Sequence, residues 1–116
     1  MHEREARDFW SEFTIAEISG EAVGWGARFA GKNEIAEMWV HADFQRRGAG
    51  AALIRKFLKD VADERHNDAW IETHRRNEAA ISLYRRMGFV PDHTAMRWSQ
   101  GLGRDIPLIR MRYPLD

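Results

Sequence analysis

An α/β (α+β) fold is predicted, with a mixed, mostly antiparallel sheet and two main helices in the order βββ-α-β-α-ββ. Three features predict it: strand-like segments joined by glycine turns before residue 41, a change to helical period at Gly48, and a second helical period bounded by Asn77 and Gly88. The first strand runs from Phe9 to Ser19, with Phe13, Ile15 and Ile18 among polar neighbours. Ser19-Gly20-Glu21 turns the chain into a second strand, Ala22 to Ala30, and Gly31-Lys32-Asn33 turns it again into Glu34 to Val40. These three segments form an antiparallel meander.

From Gly48 the apolar residues Ala52, Leu53, Ile54, Phe57, Leu58, Val61 and Ala62 make a broad stripe at helical spacing, ending near Glu64 or Arg65. Asp68 to Thr73 is a short apolar strand. Asn77 is a natural N-cap, and Ala80, Ile81, Tyr84 and Met87 give a second amphipathic helix that stops at Gly88. Thr94 to Ser99 and Ile106 to Tyr113 alternate and form a last hairpin around Gly101-Leu102-Gly103.

The 116 residues are expected to form one domain over 1–116, with 44% hydrophobic and 31% charged residues, a globular balance. Lys+Arg and Asp+Glu stand at 18 each, which argues against a general nucleic-acid binder. No cysteine is present, so a thiol nucleophile and a thiolate metal site are excluded. The five histidines show no metal-ligand spacing, and no metal is expected. No apolar run approaches the roughly 18 residues of a membrane span. The charged start Met1-His2-Glu3-Arg4-Glu5 is not that of a signal peptide, so a cytoplasmic protein with no membrane partner is expected.

The richest stretch lies between the third strand and the first helix: Val40-His41-Ala42-Asp43-Phe44-Gln45-Arg46-Arg47-Gly48-Ala49-Gly50. Its glycines let a ligand approach the backbone, the helix N-terminus offers free amides, and Arg46 and Arg47 add charge-assisted hydrogen bonds. That combination suits phosphate. Solvated surface charge is the plainer reading of the two arginines, and their position at a helix start favours anion contact.

Gln45-Arg46-Arg47-Gly48-Ala49-Gly50 resembles the Gln/Arg-x-x-Gly-x-Gly/Ala signature of the GNAT superfamily of N-acetyltransferases. Asn77-Glu78-Ala79-Ala80-Ile81-Ser82-Leu83-Tyr84-Arg85-Arg86-Met87-Gly88-Phe89 resembles that family's second signature, Asn-x-x-Ala-x-x-x-Tyr-x-x-x-Gly-Phe. The likeness spans roughly Phe9 to Tyr113 and implies acetyl-CoA as cofactor and an amine-bearing small molecule or peptide as acceptor. It implies that Met38, Trp39 and Val40 pair their backbone with the pantetheine arm and supply an N–H to the oxyanion. Gln45, Arg46, Arg47, Gly48, Ala49 and Gly50 would cradle the pyrophosphate. Asn77 would bond near the pantetheine, and Tyr84 would sit near the sulfur and protonate the departing thiolate.

Each residue also has a plainer role. Tyr84 can be a packed aromatic and Asn77 only a cap. Glu37, where many family members carry an acidic residue, is the candidate general base, against an outward-facing strand carboxylate. His41 and His74, at the ends of strands expected to be neighbours, are alternative bases. Arg75 and Arg76 lie just before Asn77 and could approach the nucleotide end, solvated surface charge being the favoured reading.

The family's fold opens with a further strand and helices that build much of the acceptor wall, and here only Met1 to Asp8 precede the meander. That strand and those helices are therefore expected to be lacking, leaving a bare sheet edge and a homodimer to cover it. The alternative reading is a non-catalytic acyl-CoA-binding or partner-binding module that kept the cofactor cradle.

Overall fold

The computed structural model describes residues 2–7, 11–29, 31–44 and 48–115, with residues 2–7 and 11 described by their backbone. The alternating segments before residue 41 form strands β2 (Ser11–Ile18), β3 (Glu21–Phe29) and β4 (Ile35–Val40), preceded by β1 (His2–Arg7). They make an antiparallel sheet in the order β1-β2-β3-β4. A second antiparallel sheet, in the order β5-β7-β6, is built from β5 (Asp68–His74), β6 (Val90–Ser99) and β7 (Arg104–Pro114). Helices α1 (Ala49–Asp63) and α2 (Glu78–Met87) fill the two predicted helical intervals.

The predicted order βββ-α-β-α-ββ is present, with one strand more at its head. β1 was not expected, and it pairs with β2 from His2–Glu17 to Arg7–Glu12. The bare edge expected on β2 is therefore occupied, and β1 becomes the edge strand. Only residues 8–10 separate β1 from β2, too few for intervening helices.

Two bulges set which side chains face the helices. Val23 is an extra residue opposite Ala16–Glu17, and Ala36 is an extra residue between the pairs Ala27–Glu37 and Arg28–Ile35. Because of Ala36, Ile35, Met38 and Val40 all face the core although they do not share one parity. Glu37 and Trp39 face the other way and are exposed. A slip of one residue exchanges the two faces of a strand, and the bulge does this within β4.

Both helices pack on the same side of the two sheets. Ile54, Phe57 and Val61 of α1 and Tyr84 of α2 meet Ile35, Ala69, Ile71, Met111 and Phe89 in one buried cluster, while Leu53 and Ala49 join Ala16 and Val23 in a second. Among the described residues, no helix covers the opposite side. Among the described residues, no helix is long and apolar enough to cross a membrane.

Candidate active site

β4 and β5 touch at their beginnings and then separate. The Trp70 N–H donates to the Asn33 carbonyl at 2.9 Å, and Glu34 bridges Trp70 in parallel. Asn33 fixes that joint further by donating from Nδ2 to Asp68 Oδ1 at 2.8 Å and to the Asp68 carbonyl at 3.1 Å. Beyond it the strands belong to different sheets. The gap is a cleft of about 140 Å³ lined by β4 residues from Ile35 to Met38, β5 residues from Ile71 to Thr73, and Asn77 and Tyr84 at α2. Tyr84 and Asn77 reach it from the helix side, Glu37 and Glu72 from the other, so the cleft passes through the layer of sheet. The end of β4, Met38-Trp39-Val40, thus lies apart from β5.

Asn77 caps α2 and also lines the cleft. Its Oδ1 accepts from the Ala80 N–H at 3.2 Å, capping α2, while Nδ2 lies 3.4 Å from Thr73 Oγ1 on the cleft wall. Tyr84, about two helical turns further on, is 5% exposed. Burial pushes its phenol up to about 12, so it is neutral and a donor at physiological pH. Among the described residues, no group accepts a hydrogen bond from that hydroxyl, which leaves it for the cleft.

At the other end of the site, Gly48 is the N-cap of α1 with φ +86°, a conformation that L side chains resist. A Cβ there would meet nothing within 4 Å, so the surface beside it is open. Ala52 N–H makes the first bond back, to the Gly48 carbonyl at 2.9 Å, and the amides of Ala49, Gly50 and Ala51 point out of the helix end. Among the described residues, neither a side-chain cap nor an acidic residue in the first turn competes with an anion. Gly50 serves differently: a Cβ there would lie 3.1 Å from Leu83 Cδ2, so it lets α1 approach α2 closely. Gln45, Arg46 and Arg47 lie outside the described residues.

Glu37 is exposed on the cleft wall, and among the described residues no cation is paired with it. Glu72, which sequence reading passed over, lines the cleft opposite. Burial alone would raise its carboxyl, but hydrogen bonds from Arg97 and Arg110 outweigh this and lower it. Arg110 Nη1 stands 2.7 Å from both Glu72 Oε2 and Glu34 Oε1 and lies over the Trp70 ring. Glu72 is thus held as an anion in a charge network. A lone carboxylate within an otherwise apolar strand segment was the one signal for it.

His41 directly follows β4 and His74 ends β5, on strands that belong to different sheets. Each accepts at Nδ1 the backbone N–H two residues on, Asp43 and Arg76 respectively, at 3.1 Å. Arg75 and Arg76 are exposed at the head of α2.

Residues 1–89 match the model of the acetyltransferase (GNAT) family. An uncharacterized N-acetyltransferase of Methanocaldococcus jannaschii is 31% identical over 98 residues, covering 74% of this chain and 42% of that protein. The [ribosomal protein bS18]-alanine N-acetyltransferase of Escherichia coli K12 is 31% identical over 94 residues, covering 69% of this chain and 64% of the relative. The chain thus spans about half the length of these relatives. Among solved structures, a GNAT family acetyltransferase of Elizabethkingia anophelis with acetyl-CoA bound superposes with a TM-score of 0.75, at 18% identity, covering 90% of this chain and 76% of that one. That identity speaks to the fold alone. With its split sheet, its helix-end cradle and its match over residues 1–89, this chain belongs to the GNAT family of acetyltransferases.

Proposed function

We propose that the chain is an acetyl-CoA-dependent N-acetyltransferase that delivers acetyl to a primary amine by direct attack. The observation that carries this reading is the cleft between β4 and β5, which has a neutral phenol on its helix side and, on the other, a carboxylate with no paired cation among the described residues. Acetyl-CoA fits the residues present. The open α1 N-terminus suits its phosphates, and the β4 backbone offers a strand edge to its pantetheine arm. When bound, it supplies an acyl carbon for the amine and a thiolate leaving group.

The chain's own residues then divide the proton work. Glu37 accepts a proton from the incoming ammonium, directly or through water, and leaves the amine nucleophilic. A backbone N–H of Met38 to Val40 faces the oxygen that gains charge. Tyr84 Oη donates to the sulfur as it leaves. The name of the Escherichia coli relative, an alanine N-acetyltransferase acting on a ribosomal protein, favours a peptide amine over a small metabolite.

Calorimetric titration with acetyl-CoA, followed by an amine panel, tests the reading. Micromolar binding and transfer to at least one amine support it; binding without transfer would turn it into the non-catalytic acyl-CoA-binding module. Gly48→Val should weaken acetyl-CoA binding by about tenfold or more by closing the backbone approach. Unchanged affinity would place the phosphates elsewhere. Glu37→Gln should lower turnover between about tenfold and a hundredfold. Full activity in that variant would remove Glu37 as the base.

A homodimer is part of the same proposal, with its contact moved from β2 to the other end of the fold. β6 is an edge strand on which Met96 and Trp98 are 60% and 64% exposed. A scattering mass of one chain at micromolar concentration would count against it.

A further inference from the structure

The side of the sheets away from α1 and α2 is divided sharply in character. On the second sheet it carries the ion network of Glu72, Arg97 and Arg110. On the first it is aromatic. Cross-strand pairing sets Ile15, Trp25 and Trp39 in one row, and Phe13, Ala27 and Glu37 in the next. Phe13 packs edge-on against Trp25 with centroids 6.2 Å apart. Trp39 is 47% exposed and Phe29, further along β3, is 54% exposed. An aromatic wall with water on one side therefore begins one row from the Glu37 carboxylate and is continuous with the cleft.

We infer that this wall is the acceptor subsite, and that it selects amines carrying an aromatic or large aliphatic group beside the ammonium, as at a peptide N-terminus with a bulky apolar first residue. The inference rests on the transfer reading above and adds the acceptor class to it. Charge complementarity carries it. Among the described residues, Glu37 is the cleft carboxylate not already held by arginine, so it attracts a cation. The next side chain on its face is Trp39, about 7 Å along the strand. An ammonium against Glu37 thus places its apolar substituent on Trp39 and Trp25, where ring contact and attraction of the cation to the indole faces both add. A small hydrophilic amine would use the carboxylate alone. The ion network across the cleft gives no comparable foothold, since its carboxylates are already held by guanidinium groups.

The test is calorimetry on the whole chain saturated with desulfo-CoA, which cannot transfer acetyl, using Phe-Ala-Ala-amide and Ala-Ala-Ala-amide. The aromatic peptide should bind about tenfold more tightly. Trp25→Thr should abolish that ratio, while Leu102→Thr, exposed in the distant turn between β6 and β7, should preserve it. Glu37→Gln should weaken both peptides alike. Equal affinities, or a ratio indifferent to Trp25→Thr, would overturn the proposal. So would binding of desulfo-CoA with neither peptide, a result that leaves the cofactor reading standing. No binding of desulfo-CoA would remove both. A dimer that dissociates in Trp25→Thr would show that a second copy occupies the wall, and would overturn the inference as well.

Discussion

Tyr84→Phe is expected to lower turnover about a hundredfold while leaving acetyl-CoA affinity within about twofold. The size follows from what the hydroxyl can do at this depth. Burial holds the phenol at about 12, whereas a thiol ionises near about 8.5, so complete proton transfer to a leaving thiolate is uphill by roughly 5 kcal/mol. The main contribution is therefore a hydrogen bond to developing charge, worth about 1.5–3 kcal/mol. The upper end of that range is about a hundredfold in rate. The ring itself stays, packed 6.1 Å from the Phe89 ring, so the fold of the site is retained. A collapse of acetyl-CoA affinity in the variant would make Tyr84 structural instead. The same burial has a signature at high pH. The unfolded phenol ionises near about 10 and the folded one at about 12, so the unfolded chain loses its proton first and stability falls across that interval. Below it there is no contribution. Denaturant unfolding at about pH 9 and pH 11 should show a drop in the native protein that is smaller in Tyr84→Phe.

What the sequence made legible was whatever repeats locally. α1 and α2 announce themselves by period, and the ends of α2 by chemistry: Asn77 caps, and Gly88 stops with φ +112°. The cleft residues Asn77 and Tyr84 lie at α2, and the roles proposed for them and for Gly48 come from the two signatures rather than from the period. β1 was missed because His-Glu-Arg-Glu-Ala-Arg has no alternation of apolar residues, and its place is set by backbone pairing with β2. The early part of β6 was missed because Val-Pro-Asp-His reads as a turn. Pro91 is tolerated there because β6 is an edge strand with an irregularity between Pro91 and His93. Glu72 and Arg28 were missed because their partners are distant. Arg110 and Glu64 lie 38 and 36 residues away, beyond any local period. The aromatic wall was visible only as a surplus of tryptophan, since which face each residue takes depends on register and on the Ala36 bulge.

Arg28→Ala should cost about 3–5 kcal/mol of stability, the largest single effect expected in the chain. Arg28 is 5% exposed at the end of β3. Its Nη1 donates to the Lys32 carbonyl at 2.8 Å and to Glu64 Oε1 at 3.3 Å, and its Nη2 reaches Glu64 Oε2 and, at 2.6 Å, Glu12 Oε2. One guanidinium thus joins β2, β3, the turn after it and the C-cap of α1. Burial alone would lower its pKa, but Glu64 and Glu12 more than restore it, so the group stays charged at every pH of interest. Removing it withdraws the positive charge from between two carboxylates, of which Glu12 is only 15% exposed. A void of about 20 Å³ beside it has room for about one water, which softens the loss without replacing a cation. The pair is not irreplaceable. Arg28→Met combined with Glu12→Leu should recover much of the stability, because an apolar substitute has no desolvation cost to offset. Equilibrium denaturation of the single and double variants checks both statements; a single variant within about 1 kcal/mol of the parent would show the network to be dispensable. The consequence reaches the site because α1 is one rigid element. Its far end, at Gly48, is where the proposed function places the phosphates, and the anchor at Glu64 fixes where that end stands relative to β4.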